Sequence, residues 1–308
     1  MSKGNKFFEI LKDSGIFLLL LLAVVCLFTS GLFFFHIEVS RFHLAICILL
    51  NIIIFFFLYR KKTDNKIKII SIVLSLIILL LAIFMSKNYL DLSWDGNSYH
   101  KDAVGLLKNG WNPVYENYID TYEKVENRNM DYIGDTVQTT HGFWQTNYPK
   151  ATWLIGSTIY AVTDDIESAK AYNILILYIT FALLAYLFFQ WSKKSFLSMV
   201  IAGLSALNPI LLVQLFTFYI DGFMGNLLIL LIFFMFLFVT ENTIFKKKEL
   251  YFIIGALLML IINTKFTGFG YAGIFCLAYY LFYIFKKIKS KKTKELICPT
   301  ILFAVITV

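Results

Sequence analysis

An all-α, polytopic transmembrane bundle is predicted by three features of this 308-residue chain. Hydrophobic residues make up 59% and charged residues 16%, against about 45–50% and about 25% in ordinary soluble domains. The apolar residues fall in runs long enough for membrane helices, which need about 17–25 residues each. Between the runs, Lys and Arg form short blocks that all fall on one side once the runs are counted as spans. That pattern is how membrane helices are oriented, with basic residues retained in the cytoplasm. A soluble enzyme, a disordered chain and a nucleic-acid-binding domain are excluded, although the net charge is +8.

Taken in order, spans are predicted at roughly 16–35, 42–59, 68–86, 171–190, 196–215, 222–240, 250–264 and 268–285. The first follows Lys3, Lys6 and Lys12 and is longer than a signal-peptide core, so it reads as a retained span. A ninth apolar stretch, 296–308, holds too few residues to cross, which predicts a truncated chain. The basic blocks are the N-terminal lysines, Arg60 to Lys68, Lys193–Lys194, Lys246 to Lys248 and Lys286 to Lys294. They place the N-terminus in the cytoplasm and residues 87–167 outside the cell membrane. The chain thus divides into spans 1–3 (1–86), a large extracytoplasmic loop (87–167) and spans 4–8 with the start of a ninth (168–308). Cys26, Cys47, Cys276 and Cys298 all lie in apolar runs without metal-ligand spacing.

The loop carries twelve acids, six basic residues and Trp94, Trp111, Trp144 and Trp153. Trp favours the membrane–water boundary, so the loop is expected to lie against the membrane surface. Residues 91–108 are predicted helical. The apolar run 150–162 is too short to span and reads as an interfacial helix. The acids Asp164, Asp165 and Glu167 suit the start of the helix that follows.

Four places could carry chemistry. In a helix, Asp91, Asp95 and Tyr99 share one face at i, i+4 and i+8, with His100 adjacent. A partly desolvated carboxylate there can act as a base, or the two acids can simply cap and solvate the helix. Asn147-Tyr148-Pro149 reads as a helix start, and Lys150 after it could meet an anionic headgroup or phosphate. Asp221-Gly222 joins two apolar runs, where an ionisable residue is either functional or in a solvated turn. Lys265, between Thr264 and Phe266, could bind a lipid phosphate or snorkel to headgroups. His36 and His43 read as interfacial. His100 and His141 show no zinc-ligand spacing, so no metal ligand is assigned.

In this order these segments resemble the GT-C membrane glycosyltransferases, in the branch of protein O-mannosyltransferases and lipid A aminoarabinose transferases. The resemblance rests on Trp94-Asp95-Gly96 with Tyr99-His100, Tyr148-Pro149-Lys150, Asn208-Pro209, Asp221, and Thr264-Lys265-Phe266-Thr267-Gly268, over about 85–285. It implies a GT-C-like fold and a transferase using a polyprenyl-phosphate sugar donor at the extracytoplasmic face. A cell-envelope glycan, lipid or protein would be the acceptor, with no nucleic acid involved. Asp95 would be the catalytic base. Asp91, Tyr99, His100, Tyr148, Lys150, Asp221 and Lys265 would bind substrate, with the lysines on the phosphate. The resemblance fixes no cofactor. A divalent metal stays open, but the acids are spaced Asp91-x-x-x-Asp95 where the family has Asp-x-Asp, and this spacing argues against it. A transporter or lipid flippase is the competing reading, and an inactive truncated fragment a third. Transporters usually gather polar residues near the bilayer midplane in internal repeats, whereas here they gather at span ends.

Overall fold

A computed structural model describes residues 3–58, 64–117 and 144–289. The basic residues Arg60 to Lys62, His141 and the ninth apolar stretch lie outside the described residues. Every regular element among the described residues is helical. The elements are α1 (Lys3–Phe33), α2 (His43–Leu58), α3 (Asn65–Lys87), α4 (Lys101–Lys108), α5 (Ala151–Thr163), α6 (Tyr172–Ser192), α7 (Ser195–Ala206), α8 (Pro209–Gln214), α9 (Asp221–Thr240), α10 (Lys247–Ile262) and α11 (Phe266–Lys289). A π-helical turn, Gly96–His100, leads into α4, and a 3₁₀ turn, Ile166–Ala171, leads into α6.

Among the described residues, five helical segments are long and apolar enough to cross a membrane: Asn5–Phe33, Asn65–Lys87, Ile166–Ser192, Asp221–Thr240 and Phe266–Lys289. The helix α2, with 16 residues, is about 24 Å long at the usual rise. It, α7 and α10 are shorter than a full span. The bundle is centred on α1, which packs against α2, α3, α5, α6 and α10. Its middle from Ile16 to Leu22 is buried throughout. A helix apolar all round sits inside a bundle. Buried polar side chains tie it to its neighbours: Asn51 Nδ2 donates to the Phe17 carbonyl (2.9 Å), Ser75 Oγ to the Ser14 carbonyl (3.2 Å), and the Ser14 and Tyr178 hydroxyls are 2.7 Å apart. Such bonds replace the hydrophobic drive that is weak between helices in lipid.

Four expectations are corrected. The first helix starts at Lys3 and carries Lys12 and Asp13 inside the bundle. They stay there because Lys12 pairs with Glu9 (2.6 Å) and Asp13 (3.2 Å), and Glu9 accepts from the Tyr186 hydroxyl (3.1 Å). The expected span 196–215 is two helices. Asn208 caps α8 by accepting from Leu211 N–H (2.9 Å), with Pro209 in the first turn. Proline cannot donate into the preceding helix, so the apolar run breaks there. Residues 91–108 are not one helix. The segment 91–93 is irregular, and the π turn then shifts the helical phase before α4. The helix α5 is not laid on a surface. Ten of its thirteen residues are buried between α1, α4 and the 3₁₀ turn.

Candidate functional site

The site is built at one end of the bundle, where α1, α3 and α10 finish and α6, α9 and α11 begin. Asp91 follows the end of α3. Its carboxylate is buried, and both oxygens accept backbone bonds: Oδ2 from Phe218 N–H (2.7 Å), Oδ1 from Ser93 N–H (2.8 Å). The Asp91 N–H donates to Glu167 (3.1 Å). Glu167 is also paired with the ammonium groups of Lys101 and Lys170, and Lys170 donates to the Tyr89 carbonyl. Gly96 permits this packing, because a Cβ there would lie 2.3 Å from Asp91 Oδ2 and 2.1 Å from Ser93 Oγ. Asp91 therefore does not share a helical face with Asp95 and Tyr99. It ties the loop to the segment before α9.

Asp95 stands just before the π turn, exposed, and its side chain accepts no hydrogen bond among the described residues. The last two residues of the turn are Tyr99, half-buried, and His100. His100 is buried, and its Nδ1 accepts from Trp153 Nε1–H (2.7 Å). Burial pushes its pKa down to about 3, with the Asp221 charge opposing and the Lys265 charge assisting. The imidazole is thus neutral with Nε2 as its donor. The Tyr99 ring lies tilted beside it, with centres 4.2 Å apart, and its ring centre is 6.1 Å from Tyr148. Tyr148 is the hub of an aromatic group. Its ring meets Trp153 (5.6 Å), His100 (5.8 Å) and Phe266 (5.7 Å). Burial pushes the Tyr99 phenol up to about 12, and the Asp95 and Asp221 charges add to the rise. Tyr148 moves in the same direction from burial, then from Tyr99, Asp221 and Asp95. Both carboxylates thus act on the same pair of phenols.

Asp221 opens α9, and Lys265 precedes α11. Their side chains form an ion pair at 2.5 Å, partly open to solvent. The turn below is set by Gln214, whose Oε1 accepts from Gly222 N–H (2.7 Å). Asn173 holds the same turn by donating to the carbonyls of Gln214, Thr217 and Tyr219 (3.1, 3.0 and 3.3 Å).

Lys150 caps no helix with its side chain. Its amine donates to the Thr146 and Tyr148 carbonyls (both 2.9 Å) and lies over the Trp111 and Trp153 rings (5.6 and 5.8 Å). Burial lowers its pKa to about 8. It stands at a cleft of about 400 Å³, between the end of α1 (Cys26 to Phe34), Pro113, Tyr148 and the end of α10 (Met259, Asn263). A second, apolar cleft of about 340 Å³ shares Leu27 and Met259 with it. This one continues down α1 and α10 past Leu20, Ile54 and Gly255. Together they form a groove with an amine at its head.

The structure therefore brings Asp95, Tyr99, His100, Tyr148, Asp221 and Lys265 together, sets Lys150 at the groove, and takes Asp91 beneath. Sequence reasoning missed Trp153, Phe266, the clamp residue Asn173 and the Glu167–Lys170 pair. Only the last had a signal, as opposite charges three residues apart. Among the described residues no three His, Cys, Asp or Glu side chains are placed to hold a metal ion. The chain matches no protein-family model, no curated protein and no solved structure.

Proposed function

We propose that the chain is a membrane glycosyltransferase of the GT-C kind. It would move a sugar from a polyprenyl-phosphate donor to a hydroxyl acceptor at the extracytoplasmic face of the cell membrane. The observation that carries this reading is the grouping of an exposed carboxylate that accepts no hydrogen bond among the described residues, Asp95, and a carboxylate–amine pair, Asp221–Lys265, around Tyr99 and Tyr148. Tyr148 also lines the apolar groove headed by Lys150. A lipid-linked sugar needs both halves, an apolar channel for the tail and a polar boundary for the reacting bond.

In this reading Asp95 takes the proton of the acceptor hydroxyl as its oxygen bonds to the anomeric carbon. The bond from that carbon to the phosphate oxygen breaks, and polyprenyl phosphate leaves from the opposite face. Lys265 and Lys150 hold the phosphate as negative charge gathers on it, since neutralising a leaving group is a large part of such catalysis. Asp221 orients Lys265. His100, being neutral and bonded to Trp153, orients Tyr99 and Tyr148. Asp91 has a structural part, because its oxygens are already engaged.

The test uses the full-length protein in lipid with a labelled polyprenyl-phosphate sugar. Asp95→Asn should lower transfer at least about 100-fold, since a general base contributes about 10²–10⁴-fold. Activity within a few-fold of the parent would end the assignment. A flippase is favoured by one observation, the groove open along α1 and α10. It would move the donor between leaflets with no new glycosidic bond, which the same assay detects.

A further inference from the structure

At the end of the bundle opposite Asp221, the helices α9, α10 and α11 enclose a third cleft, of about 400 Å³. Its walls are Phe238, Phe245 and Tyr283, and its rim carries Thr243, Lys246 and Lys247. Glu241 lies at the edge in the left-handed backbone region (φ 55°) and draws in two further amines. Lys287 is buried, paired with Glu241 and 5.4 Å from the Tyr283 ring centre. Lys286 donates to the Val239 carbonyl (3.1 Å) and stands 3.8 Å from Glu241. On the far side Lys246 is 3.6 Å from Glu249, and Glu249 also accepts from the Lys246 N–H (3.1 Å). Three ammonium groups thus stand beside two carboxylates, and Lys247, whose amine lies 5.9 Å from the Tyr251 ring centre, lines the same cleft, leaving positive charge on an aromatic-walled cavity.

A basic collar that merely marks the water boundary does not need a cavity, a buried lysine or an acid placed to converge two amines. Amines are donors for phosphate oxygens, and basic pockets between helices are a recurrent way of holding phospholipid headgroups. The aromatic walls suit the glycerol and first methylenes below a phosphate. We propose that this cleft binds the phosphate of one anionic phospholipid from the adjoining leaflet, at a site separate from the candidate catalytic end and independent of the reaction assigned there.

The test is lipid binding to the full-length protein in detergent, measured by native mass spectrometry with phosphatidylglycerol and phosphatidylcholine as probes. The parent should prefer phosphatidylglycerol. Lys246→Gln with Lys247→Gln should weaken that binding about tenfold and leave phosphatidylcholine unchanged. Lys246→Arg with Lys247→Arg should retain it. Lys246→Gln removes the cation 3.6 Å from the buried Glu249 and so costs some thermal stability; the unchanged phosphatidylcholine binding shows that the cleft stays folded. Lys193→Gln with Lys194→Gln alters charge in the turn between α6 and α7, at the same end but outside the cleft. An equal loss in that control would show a diffuse basic surface and overturn the proposal. So would inorganic phosphate binding as tightly as the lipid, because the aromatic walls would then contribute nothing.

Discussion

Replacing Asp91 separates a strut from a reacting group. The parent carboxylate is 5% exposed and accepts two backbone N–H bonds, at 2.7 Å from Phe218 and 2.8 Å from Ser93. Hydrogen bonds to charged groups contribute about 1.5–3 kcal/mol each, and a buried donor left bare costs about 1–3 kcal/mol. Phe218 is fully buried, so its N–H finds no water after Asp91→Ala. Ser93 is only half-buried and recovers part of its loss from solvent. Assigning about 2 kcal/mol to the first bond and about 1 kcal/mol to the second gives a loss near 3 kcal/mol, or roughly 100-fold in the unfolding equilibrium. Asp91→Asn rescues little, since an amide has one acceptor oxygen and its NH₂ would confront one of the two N–H donors. Gly96 is packed too closely to let it turn away. The measurement is reversible unfolding in mixed micelles, followed by tryptophan fluorescence, with transfer activity normalised to folded protein. Both variants should lose about 2–3 kcal/mol and retain activity within a few-fold. Asp95→Asn should show the inverse, with stability nearly unchanged. A loss below about 1 kcal/mol for both Asp91 variants, with activity abolished, would refute the strut.

Gly222→Ala places a Cβ 2.6 Å from the Leu211 Cα, a backbone atom that cannot swing aside. Overpacking of this kind costs about 1–3 kcal/mol, and the shift of α8 against α9 should lower thermal stability in the same assay. Lys150 should lose its charge as pH rises through about 8. Donor KM should therefore climb above that pH in the parent and stay flat in Lys150→Arg, whose charge persists; parallel profiles would remove Lys150 from the phosphate site. Burial raises the Asp102 carboxyl from 3.8 to about 7. The folded chain holds that proton more tightly than the unfolded one, so the stability it contributes is full below about pH 4 and is lost as pH rises through about 7. Asp102→Asn should flatten that part of the stability profile, and an unchanged slope would place its cause elsewhere.

Helix positions were legible where apolarity and length agree. Residues 171–190 and 222–240 became α6 and α9 nearly to the residue. Legibility failed where a run of apolar side chains hid a backbone rule. Pro209 stands in plain view within 196–215, yet hydropathy smooths over the donor it lacks. The 13-residue run that became α5 could pack on lipid or on protein, and only its neighbours α1 and α4 decide. Charge was misread in the same way. Lys12 looks like a flanking anchor, but Glu9, Asp13 and Tyr186 supply partners that let it sit inside. In the site, Asp221 and Lys265 each stood out as a charge at a span end, but their pairing across 44 residues follows from the α9–α11 packing. The relation of Asp91 to Asp95 was legible only under a regular 3.6-residue period. The irregular stretch 91–93 breaks that period between the two acids, and the π turn breaks it again from Gly96 to His100, as such turns often do near functional groups.

The different fates of these two carboxylates explain how the site is held open. An exposed Asp95 is useful only if its distance to the Asp221–Lys265 pair is fixed, and the two belong to segments 126 residues apart in the chain. The bond from Phe218 N–H to Asp91 joins those segments directly, four residues before Asp95 on one side and three before Asp221 on the other. Around it, Tyr172 donates to the Phe218 carbonyl (2.9 Å), and Asn173 grips the turn that Phe218 belongs to. Beneath it, Glu167 and Lys170 are a buried ion pair, and breaking such a pair costs about 3–5 kcal/mol, so neither end of the tie can drift cheaply. Replacing this tie by apolar packing would hold the segments against each other but not in register, because dispersion is nondirectional whereas an N–H to carboxylate bond fixes one geometry. Register is what the reaction proposed here requires, since a base a single ångström out of place loses reach of its proton.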